Sequence, residues 1–267
     1  MQPMLNIAVR AARAAGKIIL QGYSQLDRVE KQAKGVNDLV TSVDKASEQV
    51  IIETLLKAYP DHGVIAEESG IGGNAKSDYQ WIIDPLDGTV NFARGIPHFC
   101  VSIALKHKDR IEQAVIYDPI REELFTASRG AGAQLNGYRI RVGNALDLNG
   151  CIFLTAFPFK SRQHLPAYMN IFESVFSKVA DVRRAGSAAL DLAYVATGRA
   201  DAYLEAAIKP WDIAAGELIV VEAGGLVSDF AGGHNHLASG NVVAANPKVM
   251  RDLLTTIKPH LGTALAR

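Results

Sequence analysis

The run Asp84-Pro85-Leu86-Asp87-Gly88-Thr89 directly follows an apolar segment, Trp81-Ile82-Ile83. Proline disfavours the helical region for the residue before it, so Asp84 is expected at the extended end of a strand. Asp87 can turn back toward it, Gly88 permits close backbone approach, and Thr89 adds a hydroxyl. A polar turn needs one aspartate, and here two bracket a Pro-Leu pair. Two carboxylates about 4 Å apart repel by ~4 kcal/mol at an effective dielectric near 20, and no Lys or Arg stands in the turn to offset them. Further acids sit in comparable places: Glu67-Glu68 closes the run Val64-Ile65-Ala66, Asp44 opens a helical pattern, and Asp212 stands at the head of Trp211-Asp212-Ile213-Ala214-Ala215-Gly216-Glu217. Singly, each has an ordinary explanation: a solvated loop for the glutamates, the helix dipole for Asp44 and an N-cap for Asp212. Jointly they suit hard oxygen ligation of Mg²⁺. Two such ions clamp the attacking and leaving oxygens of an in-line phosphoryl displacement. Hydrolysis of a phosphate monoester would then need only a positioned water. Thr89, paired with an acid, would orient that water and help deprotonate it, while backbone N–H groups around Gly88 and Thr89 would bind phosphate oxygens.

The elements that must hold these acids are legible in outline. Leu5, Val9, Ala12, Gly16, Ile19 and Tyr23 recur at helical spacing, which favours a first helix packed on a core over an Arg-containing transit segment. After a polar stretch around Gly35-Val36-Asn37-Asp38, a second helix is expected from Val43 to Tyr59, stopped by Pro60-Asp61. Extended segments follow at 64–66, 81–83, 101–106, 111–117 and 124–127, punctuated by Gly130, Gly132 and the hairpin signal Asn136-Gly137. The first half therefore reads as two helices on an antiparallel sheet. The second alternates: strands at 152–155, 202–205 and 241–245, with helices at 165–179, after Gly186-Ser187, at 213–223 and from Pro247 to Ile257. The expected class is α+β or α/β, one domain over 1–267 with halves of about 1–148 and 149–267.

Composition excludes several functions. The 267 residues carry 28 Lys+Arg against 28 Asp+Glu, a formal net charge of zero, which argues against a polyanion-coating protein. Cys100 and Cys151 lie in apolar runs and read as reduced core residues. No apolar run approaches a membrane span, and a cytoplasmic location is expected. No third glycine completes a dinucleotide loop after Gly130-Ala131-Gly132, and phosphate-loop, nucleophile-elbow and zinc-helix motifs are missing. The close pair His234 and His236 is explained by loop polarity.

These residues resemble the inositol monophosphatase family. Asp84-Pro85-Leu86-Asp87-Gly88-Thr89 with Asn91-Phe92 is similar to its first signature, Trp211-Asp212-Ile213-Ala214-Ala215-Gly216 to its second, and the likeness spans essentially the whole chain. The stretch Arg183 to Ala196 is nearest to one bacterial branch. The resemblance implies a layered αβαβα sandwich, a homodimer, and Mg²⁺-dependent, lithium-sensitive phosphatase activity on inositol 1-phosphate. It implies that Glu67, Asp84 and the Leu86 carbonyl bind a first Mg²⁺ and that Asp84, Asp87 and Asp212 bind a second, with Glu68 near a weaker third. Asp44 would pair with Thr89 to activate the water. Asp87, Gly88, Thr89, Gly186, Ser187, Ala188 and Glu205 would contact substrate. Val90 departs from the threonine common at that place, losing a hydroxyl but no ligand.

Three alternatives are open. The same chemistry would serve another monoester, such as a 3′-phosphoadenosine nucleotide, NADP, histidinol phosphate or fructose 1,6-bisphosphate; residues 70–79 and the loop around His164, expected at the entrance, announce no base-stacking pocket. A dehalogenase-type phosphatase needs one residue between its two aspartates, where this chain has two. Members of the nearest branch associate with bacterial transcription complexes that process ribosomal RNA, a role for surface in place of the metal site. Arg139/Arg141 and Arg183-Arg184 offer only small basic spots, read here as solvated charge.

Overall fold

The computed structural model describes residues 2–35, 38–159 and 161–265. Its helices are α1 (Pro3–Tyr23), α2 (Ser42–Ala58), α3 (Thr89–Ala93), α4 (Leu165–Phe176), α5 (Ala188–Ala196), α6 (Pro210–Glu222), α7 (His236–Ser239), α8 (Pro247–Ile257) and α9 (Gly262–Leu265). A two-stranded hairpin pairs β1 (Lys31–Gly35) with β2 (Asp38–Thr41). Those strands flank the stretch expected to be merely polar, of which Val36 and Asn37 lie outside the described residues.

The larger sheet contains β3 (Gly63–Ala66), β4 (Gly70–Gly73), β5 (Tyr79–Asp87), β6 (Cys100–His107), β7 (Arg110–Asp118), β8 (Glu123–Ser128), β9 (Gly132–Leu135) and β10 (Tyr138–Arg139), in the order β10-β9-β8-β7-β6-β5-β3-β4. The second contains β11 (Ile152–Thr155), β12 (Asp181–Arg183), β13 (Ala202–Glu205), β14 (Leu226–Ser228) and β15 (Val242–Ala245), in the order β12-β11-β13-β15-β14. The larger sheet is not purely antiparallel as expected. Because β4 folds back on β3, the chain reaches β5 from the other end and β5 pairs with β3 in parallel.

Alternation along the strands builds the layers. On β6, Val101, Ile103 and Leu105 pack toward α1 and α2, whereas Cys100 and Ala104 pack toward α5 and α6. On β15, Val242 and Ala244 face α5 and α6, whereas Val243 and Ala245 face α4 and α8. Three cores thus bind five layers, helix, sheet, helix, sheet, helix, the middle core covering both faces of α5 and α6, as expected for an αβαβα sandwich. The middle layer is apolar all round: Ile213, Ala214, Ala215, Leu218, Ile219 and Val220 of α6 are buried between two sheets. No helix among the described residues is long and apolar enough to cross a membrane. Both cysteines are buried and unbridged.

Candidate active site

On β5, Trp81 and Ile83 face α1 and α2, so Ile82 and Asp84 face the middle helices. Three residues later, Asp87 should by simple alternation face away. A bulge prevents this: Asp84 pairs with Ser102 and Asp87 with Cys100, so three steps on β5 oppose two on β6. Both aspartates therefore point into the middle layer. Pro85 donates no hydrogen bond, which suits the bulge, and the Leu86 side chain is buried on the α1/α2 side. The chain then turns at Gly88, whose φ of 97° favours glycine and where a Cβ would meet the His98 carbonyl at 3.0 Å.

Asp212 arrives from α6. Ser102, the cross-strand partner of Asp84, donates from its hydroxyl to the Trp211 carbonyl at 3.2 Å, anchoring the helix start beside β5. Asp212 is the third helical residue and not the N-cap; its Oδ2 accepts the Lys209 N–H at 2.7 Å. One carboxylate oxygen each from Asp84, Asp87 and Asp212 lies within 4.8 Å of the others. Asp87 Oδ2 accepts the Ser187 hydroxyl at 2.6 Å and the Ala189 N–H at 2.8 Å, so the start of α5 orients it. Ser187, expected to touch substrate, lines the cavity, and its hydroxyl donates to Asp87.

On the other side of the Asp87–Thr89 turn stands α2. Thr41 caps that helix and Asp44 sits one turn in, accepting the Thr41 N–H at 2.9 Å and its hydroxyl. The Thr89 hydroxyl lies 3.0 Å from Asp44 Oδ1 and 3.1 Å from the Leu86 carbonyl. The sequence expectation that Asp44 and Thr89 meet, 45 residues apart, is realised in this contact. Glu67 follows β3 immediately, its N–H donating to the Ile83 carbonyl at 3.2 Å.

Burial, reinforced by the charges of Glu67, Asp87 and Asp212, pushes the Asp84 carboxyl well above the ordinary carboxylate range. Asp212 is raised by burial and by Asp87, and Asp87 by burial against the opposing hydrogen bonds of Ser187 and the α5 N–H groups. Asp44 is lifted to about 6 by burial. Asp84, Asp87 and Asp212, hard oxygen donors clustered in a desolvated place, make a set fitted to a divalent cation.

A cavity of about 200 Å³ opens beside the cluster, lined by Asp87, Gly186, Ser187, Ala188, Glu205 and Asp212. Its outer wall is Phe157, Pro158, Phe159 and Ser161 with Arg184, which stacks over Phe159 at 5.3 Å. Residues 70–79 are not among its lining, Gly70–Gly73 forming a sheet edge instead, whereas the loop leading to His164 supplies the outer wall through Phe157 to Phe159 and Ser161, His164 itself standing outside it. Glu205 accepts the Tyr203 hydroxyl at 2.6 Å, and burial lifts it to about 7. Arg184, read from sequence as solvated charge, therefore belongs to the cavity, and Phe157 and Phe159 carried no sequence signal because they lie outside regular structure. His236 is likewise not a loop residue but is buried on α7, with Nε2 3.2 Å from Glu217.

Comparison with known proteins agrees with this geometry. A profile of the inositol monophosphatase family matches residues 1–261. The chain belongs to the inositol monophosphatase family. It is 58% identical to Nus factor SuhB of Escherichia coli K12 over 267 residues, covering all of both chains. Among solved structures, extragenic suppressor protein SuhB from Bartonella henselae superposes with a TM-score of 0.92 at 40% identity, covering 96% of this chain and 99% of that one. Inositol monophosphatase from Anabaena (Nostoc) gives 0.85 at 37% identity, over 96% and 95%.

Proposed function

We propose that this chain hydrolyses a small phosphate monoester, inositol 1-phosphate foremost, in a Mg²⁺-dependent, lithium-sensitive reaction. The observation that carries the reading is the Thr89–Asp44 contact set beside three clustered aspartates. Glu67, Asp84, the Leu86 carbonyl, Asp87 and Asp212 would hold two Mg²⁺, with a third near Glu68. When bound, the metal supplies positive charge that stabilises the phosphoryl oxygens and acidifies water.

The chain's own groups do the rest. Thr89 Oγ donates its single proton to Asp44, which leaves its lone pairs free to accept a proton from the attacking water. Asp44, at about 6, is a base of suitable strength near neutral pH. The N–H groups of Gly88 and Thr89 would meet the phosphate, while Gly186, Ala188 and the half-buried Glu205 would contact the polyol. The cavity volume suits one such ring, and Glu205 can accept a ring hydroxyl. Phosphate release measured across a panel of monoesters, with and without Mg²⁺ and lithium, tests this. Silence on every ester would refute it, and a Glu205→Gln variant with unchanged preference between inositol 1-phosphate and 2′-AMP would refute the polyol assignment.

The name borne by the Escherichia coli relative favours a second reading, a Nus-factor-like partner of transcription complexes. Asp87→Asn separates the two: lost phosphate release with retained cellular function supports the partner role, and loss of both supports the enzyme. A homodimer is also proposed, to be checked by sedimentation.

A further inference from the structure

Glu48 lies on α2 one turn after Asp44, on the same face of the helix. It is 3% exposed, with no ion pair to Lys or Arg among the described residues. Its charge is instead spent on backbone: Oε2 accepts the Glu68 N–H at 2.8 Å and Oε1 accepts the Ser69 N–H at 2.8 Å. Those two N–H groups belong to the turn 67–69 that joins β3 to β4. The turn is thus fixed at both ends, by the Glu67 N–H on the Ile83 carbonyl and by Glu48 beyond it. The residue held between is Glu67, whose charge acts on both Asp84 and Asp212.

We infer that Glu48 is a positioning residue for metal binding, gripping the Glu67-Glu68-Ser69 turn so that Glu67 is presented to the aspartate cluster. The inference rests on the metal-dependent reading above. Through one helix face, α2 then serves both halves of the chemistry: Asp44 engages Thr89, and Glu48 sets the turn that carries a metal ligand. A bidentate grip needs two acceptor oxygens at a fixed reach. Glutamine offers one acceptor and presents an N–H₂ to a backbone donor, while aspartate keeps the charge but falls one methylene short.

The test is calorimetric titration of the full chain with Mg²⁺, comparing wild type, E48Q, E48D, E67Q and the double variant E48Q/E67Q. Loss of a residue that orients a ligand is expected to weaken Mg²⁺ binding about 10- to 100-fold, in both E48Q and E48D. The accompanying loss in kcat at saturating Mg²⁺ should be the smaller effect. Because Glu48 acts through Glu67, adding E48Q to E67Q should cost little more. Unchanged Mg²⁺ affinity in both Glu48 variants overturns the inference. So does a fully additive loss in the double variant, which would mark general loosening of the fold. Should E48Q fail to melt cooperatively in EDTA, E48D carries the same comparison. A wild-type chain that binds no Mg²⁺ at all would instead overturn the metal-dependent function, and with it this role.

Discussion

Removing divalent cations should make stability depend steeply on pH, in a direction the buried acids dictate. Asp44 rises from an ordinary 3.8 to about 6 and Glu205 from 4.5 to about 7 on folding, each chiefly through burial. A carboxyl raised in this way binds its proton more tightly in the folded chain. Its contribution is fully present below the unfolded value and is lost as pH rises through the folded one. Between pH 5 and pH 8, Asp44 should account for a loss of about 1.4 kcal/mol by linkage. Glu205, which faces a solvated cavity and is partly screened, should add up to about 2 kcal/mol. Asp84, Asp87 and Asp212 are shifted in the same direction and act in the same sense. A loss of about 3 kcal/mol corresponds to a fall in Tm of roughly 6–12 °C for a chain of this size. The assay is thermal unfolding followed by circular dichroism in EDTA at intervals from pH 5 to pH 8, repeated with millimolar Mg²⁺. Ligated carboxylates are deprotonated, so Mg²⁺ should flatten the curve and stabilise most at the alkaline end. A metal-free Tm that is level or climbs from pH 5 to pH 8 would refute the argument.

Thr89→Val should lower kcat by about 10²- to 10⁴-fold, the range for losing a group that handles a proton, with calorimetric Mg²⁺ affinity little changed. Asn91 donates through Nδ2 to the His98 carbonyl at 2.8 Å and the Ala185 carbonyl at 2.9 Å, tying α3 to the loop before Gly186. Asn91→Ala should therefore destabilise by about 1–3 kcal/mol in urea unfolding and raise KM more than kcat falls. At Gly216 an added Cβ would collide with the Leu192 side chain where α5 meets α6, so Gly216→Ala should cost about 1–3 kcal/mol by overpacking. An unchanged urea midpoint would contradict that close approach.

The acids and their strands were legible because each signal was local. Proline after Asp84 marked an extended strand end there, although β5 continues through the bulge to Asp87, and the 3.6- and 2-residue periods marked helices and strands for all the principal layers. What remained hidden depended on pairing between distant segments. The short strands Gly70–Gly73 and Asp181–Arg183 carry glycine or charge where alternation should be, and exist because β3 and β11 offer them partners. Asp44 and Asp212 read as helix openers, yet each sits at the third helical position, where its carboxylate returns to the cap residue's N–H and also faces the site. The role of Glu48 could have been suspected from its four-residue spacing to Asp44, but a glutamate within a helix usually signals solvent, and only the fold shows it buried. The cavity wall at Phe157 and Phe159 follows no period at all.

The extra residue on β5 makes the spacing of the two aspartates behave like a reading frame. Because strand side chains alternate, the three-residue interval keeps both carboxylates on the middle-layer face only while the bulge is retained; paired regularly, the same interval would send Asp87 through the sheet, toward Leu86 and Phe92 in the apolar α1/α2 core. Variation around the site can tune distances gradually, but this interval admits no intermediate lengths. A residue lost between the two aspartates would therefore have to be matched by loss of the bulge, whereas residues of the cavity wall can change without altering which face the carboxylates occupy.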